Sequence, residues 1–109
     1  MKHMTSKELQ DLQGELFMEA AEILKTKNSD YTAGSGDCFA NFRSSNYLGI
    51  HPILGMIMRQ MDKIMRVRTF VEKGALKVKD ESVRDAVVDQ INYLVLQYAY
   101  IKEQENNSG

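Results

Sequence analysis

The sequence predicts an all-α fold, and three observations carry that prediction. Apolar residues recur at three- and four-residue steps over long stretches, which is the helical period. Pro52 is the only proline in 109 residues, whereas sandwiches and barrels need frequent Gly and Pro punctuation. Seven methionines and no tryptophan complete a helical profile. The expected architecture is three long helices plus a short helical turn, arranged as a bundle and completed by oligomerisation.

The first helix is expected over residues 6–25. Thr5 and Glu8 form a capping-box pattern at its start. Leu9, Leu12, Leu16, Ala20 and Ile23 make one apolar stripe. Gly14 interrupts the helix at about 1 kcal/mol relative to Ala, which suggests close backbone packing there. Residues 26–51 read as a long irregular segment. Within it, Asp37 is placed to cap a short helical turn carrying Phe39 and Phe42. Loops of this length are more often functional than decorative.

Pro52 sits at a favoured first helical position and starts the second long helix, which should stop at Gly74. Ile53, Ile57, Met61, Ile64 and Val71 form its expected core stripe, widened by Leu54, Met58 and Met65. A stripe that broad implies burial on two sides, by the core and by a second subunit. Asp80 is then expected to cap a third helix over 81–105. Val83, Val87, Leu94 and Ile101 line one of its faces, beside Ala86, Val88, Ile91, Val95 and Tyr98. The whole chain, 1–109, reads as one domain, with fraying tails at 1–5 and 103–109.

Fourteen basic and 15 acidic residues give a net charge of -1. That balance excludes bulk binding to duplex nucleic acid, which needs a basic face. A single cysteine, Cys38, excludes an internal disulfide and a four-thiolate zinc site. The start of the chain has no apolar leader segment. The longest apolar stretch, 93–101, is broken by Gln97 and is far short of the ~20 residues of a membrane span. A cytoplasmic protein is expected.

Placed on helices, the charges segregate. Glu15, Glu19 and Glu22 share one line of the first helix, at spacings where like charges repel. Glu81, Asp85 and Asn92 share a line of the third helix, with Asp89 beside it toward the apolar face. Two readings stand here: solvated acidic flanks, or carboxylates converging on a hard divalent cation, Mg2+ or Mn2+. Arg59, Lys63 and Arg66 form a basic line on the second helix, next to Asp62. They read either as a solvated face or as a grip on phosphate oxygens. Cys38 has no histidine pattern beside it and is a poor nucleophile candidate.

The set Glu15-x-x-x-Glu19-x-x-Glu22, Lys27-Asn28-Ser29-Asp30-Tyr31, Asp62-Lys63-x-x-Arg66 and Glu81-x-x-x-Asp85-x-x-x-Asp89-x-x-Asn92-Tyr93 spans roughly residues 15–100. It resembles the small nucleotide-modification-associated domains common in phage genomes. It is similar in turn to the all-α nucleoside triphosphate pyrophosphohydrolases, the MazG and dimeric dUTPase group. That group usually pairs its later acids at Glu-x-x-Asp spacing, whereas here three residues separate them.

The resemblance implies metal ligation by Glu19, Glu22, Asp85 and Asp89, with Glu22 or Glu19 serving catalysis. It implies phosphate contacts from Lys63 and Arg66 and a place near the nucleotide for Asp30 and Tyr31; Arg59, from the basic line, and Asn92 are further substrate-binding candidates. The activity so implied is Mg2+-dependent hydrolysis of an NTP or dNTP to a monophosphate and pyrophosphate, in the host cytoplasm if the chain is phage-encoded. The alternative expectation is a non-catalytic counter-defence protein that binds a nucleotide signal or a host defence protein. A homo-oligomer and no membrane association are expected in either case.

Overall fold

The structure, a computed structural model, describes residues 2–32, 36–73 and 81–108, without the side chains of 29–31 and 81. The order is α1 (Ser6–Thr32), α2 (Ala40–Arg43), a 3-10 turn (Ser44–Leu48), α3 (Pro52–Glu72) and α4 (Glu81–Ser108). No strand occurs among the described residues, so the all-α expectation holds. No helix among them is long and apolar enough to cross a membrane.

The start of α1 is fixed by the predicted capping box. The Glu8 amide donates to Thr5 Oγ1 at 3.1 Å, and the Thr5 amide donates to Glu8 Oε1 at 3.3 Å. The end of α1 differs from expectation. The helix runs seven residues past 25, through the polar Lys27-Asn28-Ser29-Asp30. No Gly or Pro intervenes before Gly34, and Lys27 gains an ion-pair partner on α4 by staying helical. The irregular middle is correspondingly shorter than 26–51, and part of it is α2 and the 3-10 turn.

Asp37 does organise that short turn. Its Oδ1 accepts from the Phe39 amide at 3.0 Å and its carbonyl from the Ala40 amide at 3.2 Å. Gly49 closes the 3-10 turn at φ +73°, in the left-handed region that suits glycine. His51 caps α3, its Nδ1 accepting from the Ile53 amide at 3.1 Å, and Pro52 occupies the first turn as predicted. Gly74 and Asp80, the expected stop and cap, lie outside the described residues. α4 is helical to Ser108, and Arg43 donates to Glu103 near its end.

α3 and α4 form an antiparallel hairpin. The pairs Lys63–Asp89, Gln60–Gln97 and His51–Tyr100 run in opposite order along the two helices. Phe39, Phe42, Met56, Leu96 and Tyr100 form the core, with Leu24, Ile53, Tyr93 and Ala99 packed against it. Phe39 meets Tyr100 edge-on, ring centroids 5.4 Å apart.

The inward rows differ from those expected. On α3 the covered row is Ile53, Met56, Gln60, Lys63, Val67 and Phe70, whereas Ile57, Met61, Ile64 and Val71 are exposed. On α4 the buried residues are Ala86, Val88, Asn92, Leu96 and Tyr100, while Leu94, Val95, Tyr98 and Ile101 are exposed. Of the α1 stripe only Ala20 is buried, and Leu9 is exposed. Gly14 has open space around a built Cβ, so no close packing explains it.

Candidate functional site

The helical register puts Lys63, Asp89 and Lys27 at the junction of α3, α4 and α1. Asp89 is the centre of this group, with only 14% of its side chain exposed. A carboxylate this far out of water needs a cation or donors. It has two: Lys63 Nζ at 3.0 Å and Lys27 Nζ at 3.9 Å. One turn along α4, Asn92 is buried and its Nδ2 donates to the Ala20 carbonyl at 2.9 Å. That bond locks α1 against α4. Asn92 is therefore committed to the fold, not free to contact a substrate.

Glu19 faces the same α1–α4 contact but meets a different cation. Arg84 Nε donates to its Oε2 at 3.0 Å, and Nη2 lies 2.9 Å from the same oxygen. Glu15, Glu22 and Asp85 are exposed. α1 and α4 thus pack as expected, yet each of the two half-buried acids is brought to basic residues and not to the other acids. Among the described residues, no group of three or more His, Cys, Asp or Glu is placed to hold a metal ion. As arranged, Glu19, Glu22, Asp85 and Asp89 do not fit a Mg2+ or Mn2+ ion. Lys27, Lys63 and Arg84 stand where the cation's charge would be needed.

The basic line of α3 also divides. Arg59 lies over the Phe42 ring, 4.8 Å from its centroid. Lys63 belongs to the Asp89 group. Arg66 lines an open groove of about 360 Å3 between the second half of α3 and the first turn of α4. Asp62, Met65, Thr69, Phe70 and Lys73 line it from α3, and Ser82 and Val83 from α4. Arg66 is three residues from Lys63, about 4.5 Å along the helix axis, but Lys63, Asp89 and Lys27 do not line the groove. The side chains of Asp30 and Tyr31 lie outside the described residues.

A second charged centre was not anticipated as a unit. Arg43 forms a two-point contact with Asp37, Nε to Oδ2 at 2.6 Å and Nη2 to Oδ1 at 3.2 Å, and Nη2 also donates to Glu103. Its guanidinium lies 5.6 Å from the Phe39 and 5.3 Å from the Tyr100 ring centroids. The Arg43 hydrogen bond and the Phe39 amide hold the Asp37 carboxyl below its ordinary range, and the two acids push Arg43 further up. The Cys38 thiol is pushed up by partial burial and then by the charges of Asp37 and Glu103. That is the wrong direction for a nucleophile.

Sequence reading missed Lys27 and Arg84 as partners of the acids. The available signal was their position at the borders of the apolar stripes, where an acid on the facing helix can be reached. No family model, curated protein or solved structure matches this chain.

Proposed function

We propose that the chain binds a nucleotide through its phosphates, in the groove between α3 and α4. The observation that carries this reading is the groove itself: about 360 Å3, with Arg66 and Lys73 beside Asp62 on its α3 wall. Its volume lies within the ~300–1,000 Å3 of small-molecule sites. Two cations and the hydroxyls of Thr69 and Ser82 suit phosphate oxygens, and Phe70 and Met65 offer apolar surface to a base or sugar.

The second reading is the hydrolytic one, a Mg2+- or Mn2+-dependent pyrophosphohydrolase. It rests on the resemblance and on Glu19 and Asp89, two half-buried acids facing one helix junction. It requires both to exchange Arg84, Lys63 and Lys27 for a metal. The ion pairs therefore favour binding without turnover.

The test is a thermal-shift and pyrophosphate-release assay with NTPs, dNTPs and inorganic pyrophosphate, with and without Mg2+ or Mn2+. Stabilisation by at least one nucleotide is expected, without product, and Arg66→Ala should weaken binding about tenfold, the worth of one charge-assisted hydrogen bond. No shift with any of these ligands overturns the proposal. Turnover that requires metal and is lost in Glu19→Gln makes the hydrolytic reading the correct one.

A further inference from the structure

The first half of α1 is helical yet has little of the chain to pack against. Every position from Ser6 to Met18 is exposed or half-buried, and the stretch still carries a regular apolar row. At about 100° per residue, Leu9, Leu12 and Leu16 fall within about 60° of one another. With Gln10, Gln13 and Phe17 they line an open groove of about 290 Å3. A second groove, about 260 Å3, starts at the same Phe17 and runs between α1 and α4 past Ala21, Leu24, Ile91 and Val95. Together they make one apolar track from Leu9 to Leu24, about 22 Å or four helical turns long. Leu9 and Phe17 are 58% and 52% exposed. Charge beside the track is one-sided. From Ser6 to Glu22 the carboxylates of Glu8, Asp11, Glu15, Glu19 and Glu22 face a single lysine, Lys7, which is held by Asp11 at 3.0 Å. Glu8, Glu15, Glu19 and Glu22 share one flank, next to Leu12. Glu15 and Glu22 are exposed and make no ion pair among the described residues.

We infer that the Leu9–Leu24 track docks a basic amphipathic helix of a partner protein. An apolar strip with a polar rim is the surface that marks an interaction site. Its shape suits a helix laid lengthwise, whose apolar residues at three- and four-residue steps drop between Leu9, Leu16, Phe17 and Leu24. Charge then selects the occupant. Lysines or arginines on the partner's polar face find Glu15 and Glu22 without a cation, and complementary charge steers and registers such a complex. A second copy of the chain brings the same acids to this track, and only Lys7, already paired, to answer them. An anionic lipid surface is repelled by the same flank. The track shares no residue with the groove between α3 and α4, so the two sites are independent.

Fluorescence anisotropy with the full chain and a labelled leucine–lysine peptide tests this. The peptide is patterned as an amphipathic helix of about 15 residues, the length of the track, and its leucine–glutamate counterpart is the control. Only the lysine peptide should bind, and more weakly as salt rises. Leu9→Ser and Phe17→Ser should each weaken it about tenfold while retaining helical circular dichroism. Glu15→Lys combined with Glu22→Lys should weaken it about as much and flatten its salt dependence. Met61→Ser, at an exposed position of α3, should leave it unchanged. If Phe17→Ser fails to fold, the double variant decides, because both of its positions are exposed. No binding of the lysine peptide overturns the inference, whether the track then proves to hold a second copy or a vesicle surface. Equal binding of both peptides, binding that the α1 variants leave intact, or binding that Met61→Ser abolishes overturns it as well.

Discussion

Asp37 does three jobs with one carboxylate. It accepts the Phe39 amide, takes a two-point contact from Arg43, and so fixes the guanidinium that also reaches Glu103 near the end of α4. These bonds favour its charged form, so its folded-state pKa lies below that of the unfolded chain. The stability this contributes is fully present above the unfolded value of about 3.9 and is lost as pH falls through the folded one. Asp37→Asn should therefore lower the unfolding temperature at pH 7 and make less difference as pH drops below about 4. Thermal melts of both proteins across pH 3–7 measure the gap, and a gap that stays constant with pH contradicts the assignment. The carboxylate is partly exposed, so the effect belongs to the modest range of screened pairs.

At the scale of elements, helix existence was legible and helix facing was not. The Thr5–Glu8 box, Pro52 and the unbroken periods located three long helices, because capping and period are local properties. Facing is a tertiary property. α3 has two apolar rows, one with Met56, Val67 and Phe70 and one with Ile57, Met61 and Ile64, and period alone does not tell them apart. The row interrupted by Gln60 and Lys63 proved to be inward because α4 supplies Gln97 and Asp89 to meet them. The same blindness affected the site: the acidic lines of α1 and α4 were readable, but not that Arg84 and Lys63 would reach across to them. Gly14 is a related case. Its helix surface is open, and nothing within 4 Å would meet a Cβ. Gly14→Ala should raise stability by about 1 kcal/mol through helix propensity. Chemical denaturation reads this directly, and a loss of stability would place a contact at Gly14 that is absent from the single chain.

The whole molecule is drawn out more than its length requires. Its principal extents are 54 × 29 × 25 Å and its radius of gyration is 16.6 Å, against about 13 Å for a compact domain of 100 residues. The cause lies in how the helices share the core. α3 and α4 pack along their length, whereas α1 contributes mainly its second half, from Glu19 and Ala20 to Leu24 and Lys27. From Ser6 to Met18, α1 is exposed or half-buried at every position. Opening that stretch breaks helical hydrogen bonds but exposes little new apolar surface, so its free energy of opening is small compared with global unfolding. Native-state amide exchange should show this as a gradient along one continuous helix. Protection should be low over 6–16, rise from about Ala20, and be greatest around Met56, Val88 and Leu96, which are buried in the hairpin. Uniform protection along α1 at low concentration would mean that the first half of the helix is packed against something, and would contradict the arrangement of the single chain.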